Sequence, residues 1–474
     1  MMTLAQAADA LAAGGVACRL QGPPATRFEC VSTDTRTLPR GALYVALRGP
    51  RFDGHEFGAA ARDGGAAALL VERELPLGLP QLVVPDTREA LGTLAARWRA
   101  TLTLPLIAVT GSNGKTTTTQ MIAAVLAQAL GEAGGQPRWF ATRGNRNNDI
   151  GVPQMLLELR PWHRAAVLEL GMNHRGEIER LGGWAQPTVA VVTNAQREHQ
   201  EFLDSVEATA QENGQVIRAL PGDGVAVFPS DDSCAPIWRA LAGPRRVVDF
   251  ALHGTAAVSA GFELGPEDSR LRLQTPAGAI ATRLALGGTH NVRNALAAAA
   301  ACLAAGIGLD AIAAGLAAFR PVGGRGTRIA LPGGAVVIDD SYNANPDSAR
   351  AAIDLLAQQP GRRVLVFGDM GEVGARGGEF HREIGRHARE RGIETVLAVG
   401  EQARETAAAF GAGARHFASV EELGAEAQLI AAAGGAPAPV FLVKGSRFMR
   451  LERVVRILEQ GAAQGADAAA GSHA

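Results

Sequence analysis

The run Leu104–Thr110, LPLIAVT, passes directly into Gly111-Ser112-Asn113-Gly114. Lys115–Leu130 follows, with Met121, Ile122, Val125, Leu126, Ala129 and Leu130 at helical spacing. Buried strand, glycine loop and helix in that order predict the opening of a parallel α/β sheet. The loop carries chemistry as well. Its glycines let the backbone curl with N–H groups pointing inward, the helix N-terminus adds positive dipole, Lys115 adds a full charge, and the Thr116 hydroxyl is placed for Mg²⁺. The usual spacing, G-x-x-x-x-G-K-[ST], wants glycine at position 109, where Val109 stands, so G-x-x-G-K-T is a variant. A plain Gly-rich turn has no need of a Lys and two Thr at the helix start. The pattern therefore predicts a nucleotide site built on Gly111, Asn113, Gly114, Lys115, Thr116 and Thr117.

The remaining chain divides around this unit. Before it, short apolar runs at Ala42–Leu47, Ala66–Val71 and Gln81–Val84 predict a small mixed α/β N-terminal domain over 1–103. Further strand runs at Ala166–Leu170, Thr188–Thr193 and Val225–Phe228, then a helical run Asn291–Leu303, predict a central P-loop domain with a mainly parallel sheet over 104–319, binding ATP or GTP. Beyond Phe319-Arg320-Pro321, strand runs at Val336–Asp339, Val364–Phe367, Val396–Val399 and Val440–Val443 alternate with helical stretches, predicting a Rossmann-like C-terminal domain over 320–460. Residues 461–474 are Ala, Gly and polar without periodicity and read as a frayed tail.

Charge and cysteine usage exclude several classes. The 474 residues carry 46 Lys+Arg against 47 Asp+Glu, a balance that argues against a dedicated binder of nucleic acid or of anionic membrane. Cys18, Cys30, Cys234 and Cys302 are widely spaced, giving neither a zinc framework nor a disulfide scaffold and fitting a reducing cytoplasm. The first residues lack a basic stretch before an apolar core, so no signal peptide is expected. The run Ala295–Leu309 is mostly Ala and shorter than a membrane span needs, so a buried helix is expected there.

Glu169 closes the apolar run AVLEL. A carboxylate in such a strand is costly to bury unless paired or bound to metal, and at the C-terminal edge of a parallel sheet it faces the nucleotide crevice. Mg²⁺ ligation is the functional reading and a salt-bridged strand end the structural one. His199, five residues after Asn194 at the end of the next strand, is a second candidate ligand.

Taken together, TGSNGKTT, ELGMNHRGEI, GGTHNVRNALAA (Gly287–Ala298) and DDSYNANP (Asp339–Pro346) resemble, in this order, the bacterial Mur ligases, ATP-dependent amide-forming enzymes of peptidoglycan synthesis. STDTR (Ser32–Arg36), RFDGH (Arg51–His55), GNRNNDIGVP (Gly144–Pro153), GDMGEVG (Gly368–Gly374) and LVKGSR (Leu442–Arg447) narrow the resemblance to the branch that handles D-alanyl-D-alanine. It spans about residues 30 to 460. It implies that the central domain is a P-loop ATPase domain, in a monomeric, cytoplasmic bacterial enzyme that joins D-alanyl-D-alanine to UDP-N-acetylmuramoyl-tripeptide through an acyl phosphate, using ATP and Mg²⁺.

The resemblance also implies roles. Lys115 contacts the β- and γ-phosphates. Thr116 and Glu169 hold one Mg²⁺ and His199 helps hold a second. Asn291 and Asn294 face the adenine, although asparagines at a helix start also serve as caps. Arg325 and Asp340 reach back to ATP, and a guanidinium fork suits phosphate oxygens. Asp34, Thr35 and Arg36 meet the uridine diphosphate. Asn147 and Asn148 lie near the muramoyl peptide, with loop formation the alternative. Lys444, Arg447, Tyr342 and Asn343 are candidates for the dipeptide pocket.

One departure stands out. Most members of the family carry a lysine, carbamylated by CO₂, some way after the histidine. Here Asn213 occupies that position and no Lys occurs from Glu198 to Leu220. Asn brings no negative charge, so a carbamate is not expected and the second metal site is in question. A sibling amino-acid-adding ligase would favour a DNPR-like element, but residues 347–350 read DSAR. A nucleotide-driven switch would need no strand-end acid, histidine and arginine acting together.

Overall fold

The computed structural model describes residues 1–198 and 200–471, the last ten of these by backbone alone. His199 lies outside the described residues. The central sheet has six parallel strands in the order Trp139–Ala141, Ala165–Glu169, Leu106–Thr110, Val189–Val192, Val225–Val227 and Arg246–Val247. The first of these in the chain, Leu106–Thr110, lies inside the sheet. The chain winds first to one side of it and then to the other. The phosphate loop thus leaves from the point where strand order reverses, which is where open α/β sheets bind ligands.

Every residue of Leu106–Thr110 and Ala165–Glu169 is buried, as expected of parallel strands covered on both faces. On one face Ile107, Val109, Val167 and Val191 pack with Met121, Ile122 and Val125 of the helix Lys115–Leu130 and with the Ala-rich helix Thr289–Ala304. Residues 295–302 of that second helix are all buried, so the Ala run is a core helix. On the other face Leu106, Ala108, Leu168 and Val192 share one core with Leu43, Val45, Leu91 and Leu94, which ties the N-terminal domain to the central one. No helix among the described residues is long and apolar enough to cross a membrane, and the four cysteines are free.

The N-terminal domain orders its sheet Arg19–Gln21, Gln81–Val83, Ala68–Val71, Ala42–Val45, Cys30–Ser32, with the first strand antiparallel. The C-terminal sheet runs Thr327–Ala330, Val336–Asp340, Pro439–Lys444, Arg362–Gly368, Thr395–Val399, Ala414–Phe417. Its first pair is antiparallel and the others parallel. A parallel join needs a crossover of a dozen residues or more. The turn between Ala330 and Val336 is far too short, so Thr327–Ala330 folds back as an antiparallel edge.

Two elements differ from the sequence expectation. A three-stranded antiparallel sheet, Ser259–Leu264, Ser269–Thr275 and Gly278–Leu284, stands between the last parallel strand and the Ala-rich helix. Its signal was the alternation in SRLRLQT, whose residues are buried and exposed in turn. At the C-terminus, where a frayed tail was expected from residue 461, the helix Glu452–Gly471 continues. The high helix propensity of alanine sustains it without an apolar period.

Candidate active site

The phosphate loop curls because two glycines adopt left-handed backbone. Gly111 has φ +126° and Gly114 φ +81°. A Cβ at Gly111 would lie 2.1 Å from Thr193 Oγ1, and one at Gly114 would lie 2.1 Å from Asn294 Oδ1, so neither position has room for a side chain. The neighbouring strand end holds the loop in place. Asn113 N donates to Asn194 Oδ1 at 2.9 Å, Asn194 Nδ2 donates back to Asn113 O at 2.9 Å, and Thr193 Oγ1 donates to the same carbonyl at 2.7 Å. Lys115 Nζ bends over the loop to Gly111 O (2.6 Å), Ser112 O (3.0 Å) and Glu198 Oε1 (2.7 Å).

Glu169 is 2 % exposed at its strand end. Thr116 Oγ1 donates to its Oε2 at 2.7 Å and Asn147 Nδ2 donates to its Oε1 at 2.8 Å. Both donors are neutral, so they orient the carboxylate without cancelling its charge. Gly171 makes the approach possible, since a Cβ there would meet Asn147 at 2.9 Å. A hydroxyl and an anionic carboxylate beside a phosphate loop form a hard oxygen donor set, which fits Mg²⁺ completed by phosphate oxygens and water. No group of three or more His, Cys, Asp or Glu forms a metal cluster among the described residues.

Asn213 is fully buried. Its Oδ1 accepts from Thr110 Oγ1 (2.6 Å) and from Gly111 N (2.9 Å), so the side chain anchors the base of the phosphate loop. Its Nδ2 has no hydrogen-bond partner among the described residues. Glu212, the adjacent acid, turns away and accepts from Gly176 N and Ile178 N, each at 2.9 Å.

These groups open into a cavity of roughly 710 Å³ between the central and C-terminal domains. Asn113, Gly114, Lys115, Thr116, Thr117, Asn147, Asn148 and Glu169 line its central side, and Asn291 and Asn294 line it from the Ala-rich helix. That helix begins at an N-cap of Gly288, and Asn291 Nδ2 donates to Gly287 O at 2.8 Å, so neither asparagine is the N-cap. Arg325, Asp340, Tyr342, Asn343, Lys444 and Arg447 line the cavity from the C-terminal domain. The guanidinium groups of Arg325 and Arg447 lie over the Tyr342 ring, 4.1 and 5.6 Å from its centroid.

Several sequence candidates sit elsewhere or in other company. Gly111 is packed behind the loop and does not line the cavity. Asn148 serves its own loop, with Oδ1 accepting from Gly151 N at 2.9 Å at the start of the helix Gly151–Leu157. Lys444 is 3 % exposed, and its ammonium donates to Asp340 Oδ2 (2.6 Å) and to Asn343 O (2.9 Å). It clamps the strand-end loop instead of presenting a free charge. Asp34, Thr35 and Arg36 lie on the N-terminal domain outside the cavity. There Arg36 Nη2 donates to Asp34 Oδ2 at 2.6 Å, and this pairing holds the Asp34 carboxyl down at about 2. The adjoining Thr33 is tied to the central domain, its Oγ1 accepting from Gln154 Nε2 at 2.7 Å.

Sequence reasoning missed Gln196, Arg197, Glu198 and Asn345. Gln196 Oε1 accepts from Asn113 Nδ2 at 2.6 Å, Glu198 meets Lys115, and Asn345 Oδ1 accepts from the same Asn113 amide at 3.2 Å. The first three follow the strand Val189–Val192, and the rule that sites gather beyond the carboxyl ends of strands was the signal available for them.

Family models match in three consecutive stretches: the Mur ligase family, catalytic domain, over residues 27–99, the Mur ligase middle domain over 109–302, and the Mur ligase, glutamate ligase domain, over 324–447. The UDP-N-acetylmuramoyl-tripeptide–D-alanyl-D-alanine ligase of Escherichia coli K12 is 41 % identical over 461 residues, covering 97 % of this chain and 98 % of its own. The ligase of the same name from Bacillus subtilis 168 is 34 % identical over 90 % of this chain and 92 % of its own. Among solved structures, MurF from Acinetobacter baumannii superposes with a TM-score of 0.89 at 35 % identity, over 97 % of this chain and 98 % of that one. With full-length matches of this identity and all three family models in order, the chain belongs to the Mur ligase family.

Proposed function

We propose that the protein joins D-alanyl-D-alanine to UDP-N-acetylmuramoyl-tripeptide with cleavage of ATP to ADP and phosphate, a step of peptidoglycan synthesis. The observation that carries this reading is the single cavity in which a phosphate loop and a neutrally held carboxylate face the arginines of the C-terminal domain. The relatives named as ligases of this specificity support the choice of substrates.

A carboxylate is a poor electrophile because oxide is a poor leaving group. In the first step a tripeptide carboxylate oxygen attacks the γ-phosphorus and ADP leaves, giving an acyl phosphate. In the second the dipeptide amine attacks the carbonyl carbon, loses a proton, and inorganic phosphate departs as the amide forms. The protein's part is positioning and neutralisation of charge. Lys115 is placed to move from Glu198 onto the β- and γ-phosphates. Arg325 neutralises charge on the transferring group from the C-terminal side. Asn291 and Asn294 face the base, and Asp340 borders the nucleotide end with its charge taken up by Lys444. Thr116 and Glu169 would hold Mg²⁺, which supplies Lewis-acid polarisation of the phosphate oxygens. His199 is proposed for a second ion.

We assign the UDP end of the substrate to the N-terminal domain near Asp34, Thr35 and Arg36, with Asn148 toward the muramoyl peptide. The dipeptide carboxylate goes to Arg447, with Tyr342 and Asn343 beside it, because Lys444 already has a carboxylate. The division of labour is 1–103 for the UDP substrate, 104–319 for ATP, and 320–460 for the incoming amine. A cavity lined within one chain supports the reading as a monomer, and the proposed substrates support the reading as an enzyme of the bacterial cytoplasm. The test is phosphate release with ATP, Mg²⁺, UDP-N-acetylmuramoyl-tripeptide and D-alanyl-D-alanine, each omitted in turn. Release that needs both substrates is expected. Equal release without them would leave a plain ATPase.

A further inference from the structure

Contacts from the phosphate-loop side reach the C-terminal domain at several points, among them the N-cap and first turn of the helix Pro346–Ala357, Glu383, and the Glu372 carbonyl, which accepts from Glu201 N at 3.2 Å. Asn345 is the N-cap of that helix. It exchanges amide hydrogen bonds with Asn113 of the loop, Asn345 Nδ2 donating to Asn113 Oδ1 at 2.9 Å and Asn113 Nδ2 to Asn345 Oδ1 at 3.2 Å. Two residues on, Asp347 receives Arg197 three ways. The Arg197 backbone N–H donates to Oδ2 at 2.8 Å, and Nε and Nη2 donate to Oδ1 at 3.1 and 2.6 Å. The other edge of the same guanidinium donates to Glu383 of the helix Gly377–Glu390, at 2.7 Å to Oε2 and 3.0 Å to Oε1. Its Cζ lies over the Phe380 ring, 5.2 Å from the centroid.

Arg197 thus grips two helices of the C-terminal domain through a planar fork. It does so from the segment 194–198, whose Asn194, Gln196 and Glu198 hold Asn113 and Lys115. Any shift of the phosphate loop on taking up a nucleotide moves the partners of this segment, and the segment ends on the C-terminal domain. The three side chains of the clamp are each about a quarter exposed, at 22, 22 and 24 %. Charges of this kind can return to water when the domains part, whereas a buried apolar seam would stay shut.

We propose that Arg197 is a positioning residue that couples occupancy of the phosphate loop to the seating of the C-terminal domain. Its kinetic consequence rests on the ligase reading: an acyl phosphate survives only if water is kept out and the amine is delivered, and both need that domain in place. The coupling itself does not depend on which amine is joined.

The experiment uses the full chain as wild type, Arg197→Ala, Arg197→Lys, Glu383→Ala and the Arg197→Ala/Glu383→Ala double variant. Small-angle X-ray scattering with a non-hydrolysable ATP analogue and Mg²⁺ reads closure, and steady-state kinetics read the reaction. Wild type is expected to become more compact with the analogue and Arg197→Ala to stay extended. Arg197→Ala should lose about tenfold or more in kcat, raise KM for the dipeptide and bind the analogue about threefold or more weakly, as reciprocal coupling requires. Arg197→Lys should recover only part, because an ammonium lacks the fork. Glu383→Ala should cost nothing further in the double variant. Compaction of a folded Arg197→Ala protein to the wild-type extent when the analogue is added, or additive losses, overturns the coupling. Should Arg197→Ala fail to fold, Asp347→Asn, which keeps the shape of the helix start, is read in its place by the same criteria. Absence of dipeptide-dependent release in wild type would sink the ligase reading, while the scattering would still decide the coupling.

Discussion

Two sheets in this chain, one parallel and one mixed, each end a strand on a carboxylate at the same cavity, and the two carboxylates are treated in opposite ways. Among the described residues, the Glu169 carboxylate receives neutral donors, the Thr116 hydroxyl and the Asn147 amide. Asp340 receives the buried ammonium of Lys444 at 2.6 Å. Neutral donors fix a carboxylate's orientation and leave its charge available to a cation, whereas a lysine consumes the charge and converts the pair into a strut. The difference teaches that a strand-end acid acquires its role from the charge of what holds it.

The largest effect should come from removing the charge that is left uncompensated. Glu169→Gln keeps the shape and the Thr116 contact but offers no anion. It should lower kcat by at least about a hundredfold, with the Mg²⁺ dependence of phosphate release flattened and thermal stability maintained. If Glu169 were a strut like Asp340, the loss would appear in melting temperature and not in metal dependence.

Asp340→Asn tests the other side. It leaves the Lys444 ammonium buried beside a neutral amide, and denaturant unfolding should show a loss of about 2 kcal/mol, reduced from the fully buried case because Asp340 is partly exposed. Full stability retained with activity lost would make Asp340 a ligand-binding group alone.

A smaller effect is expected from Asn147→Ala, which frees one carboxylate oxygen of Glu169 without touching its charge. About a tenfold drop in kcat with a raised Mg²⁺ requirement, and KM for the UDP substrate little changed, would mark Asn147 as a positioning residue. A rise in that KM alone would return it to the substrate.

The smallest effect concerns Asn213. Because its Oδ1 is spent on Thr110 and Gly111, added bicarbonate should alter the wild-type rate by less than about twofold, an amount below one hydrogen bond's worth. Strong stimulation would mean that an anion enters beside Asn213 and supplies the charge the side chain lacks.

Much of this was legible in local order. LPLIAVT-GSNG-KTT specifies strand, turn and helix through apolar run, glycines and helical period, each a property of neighbours in the chain. The buried helix at 295–302 and the strand-end position of Glu169 follow from the same kind of reading. The antiparallel insertion 259–284 was less visible because its strands are half exposed, and only one of them alternates cleanly.

What the sequence by itself determined is therefore the set of elements, the phosphate loop and the order of the motifs, since glycine conformation, apolar periodicity and strand ends are encoded over a few residues. What only the tertiary structure decided is the company each side chain keeps. Lys444 looked like a free cation for a dipeptide until strand pairing set it against Asp340, 104 residues away. Arg197 had no motif at all, and its partners lie 150 and 186 residues further along the chain. The physical reason is that a charge's role depends on which opposite charges the fold brings within a few ångströms, and Coulomb energy in a partly buried site reads distance in space and not separation in sequence.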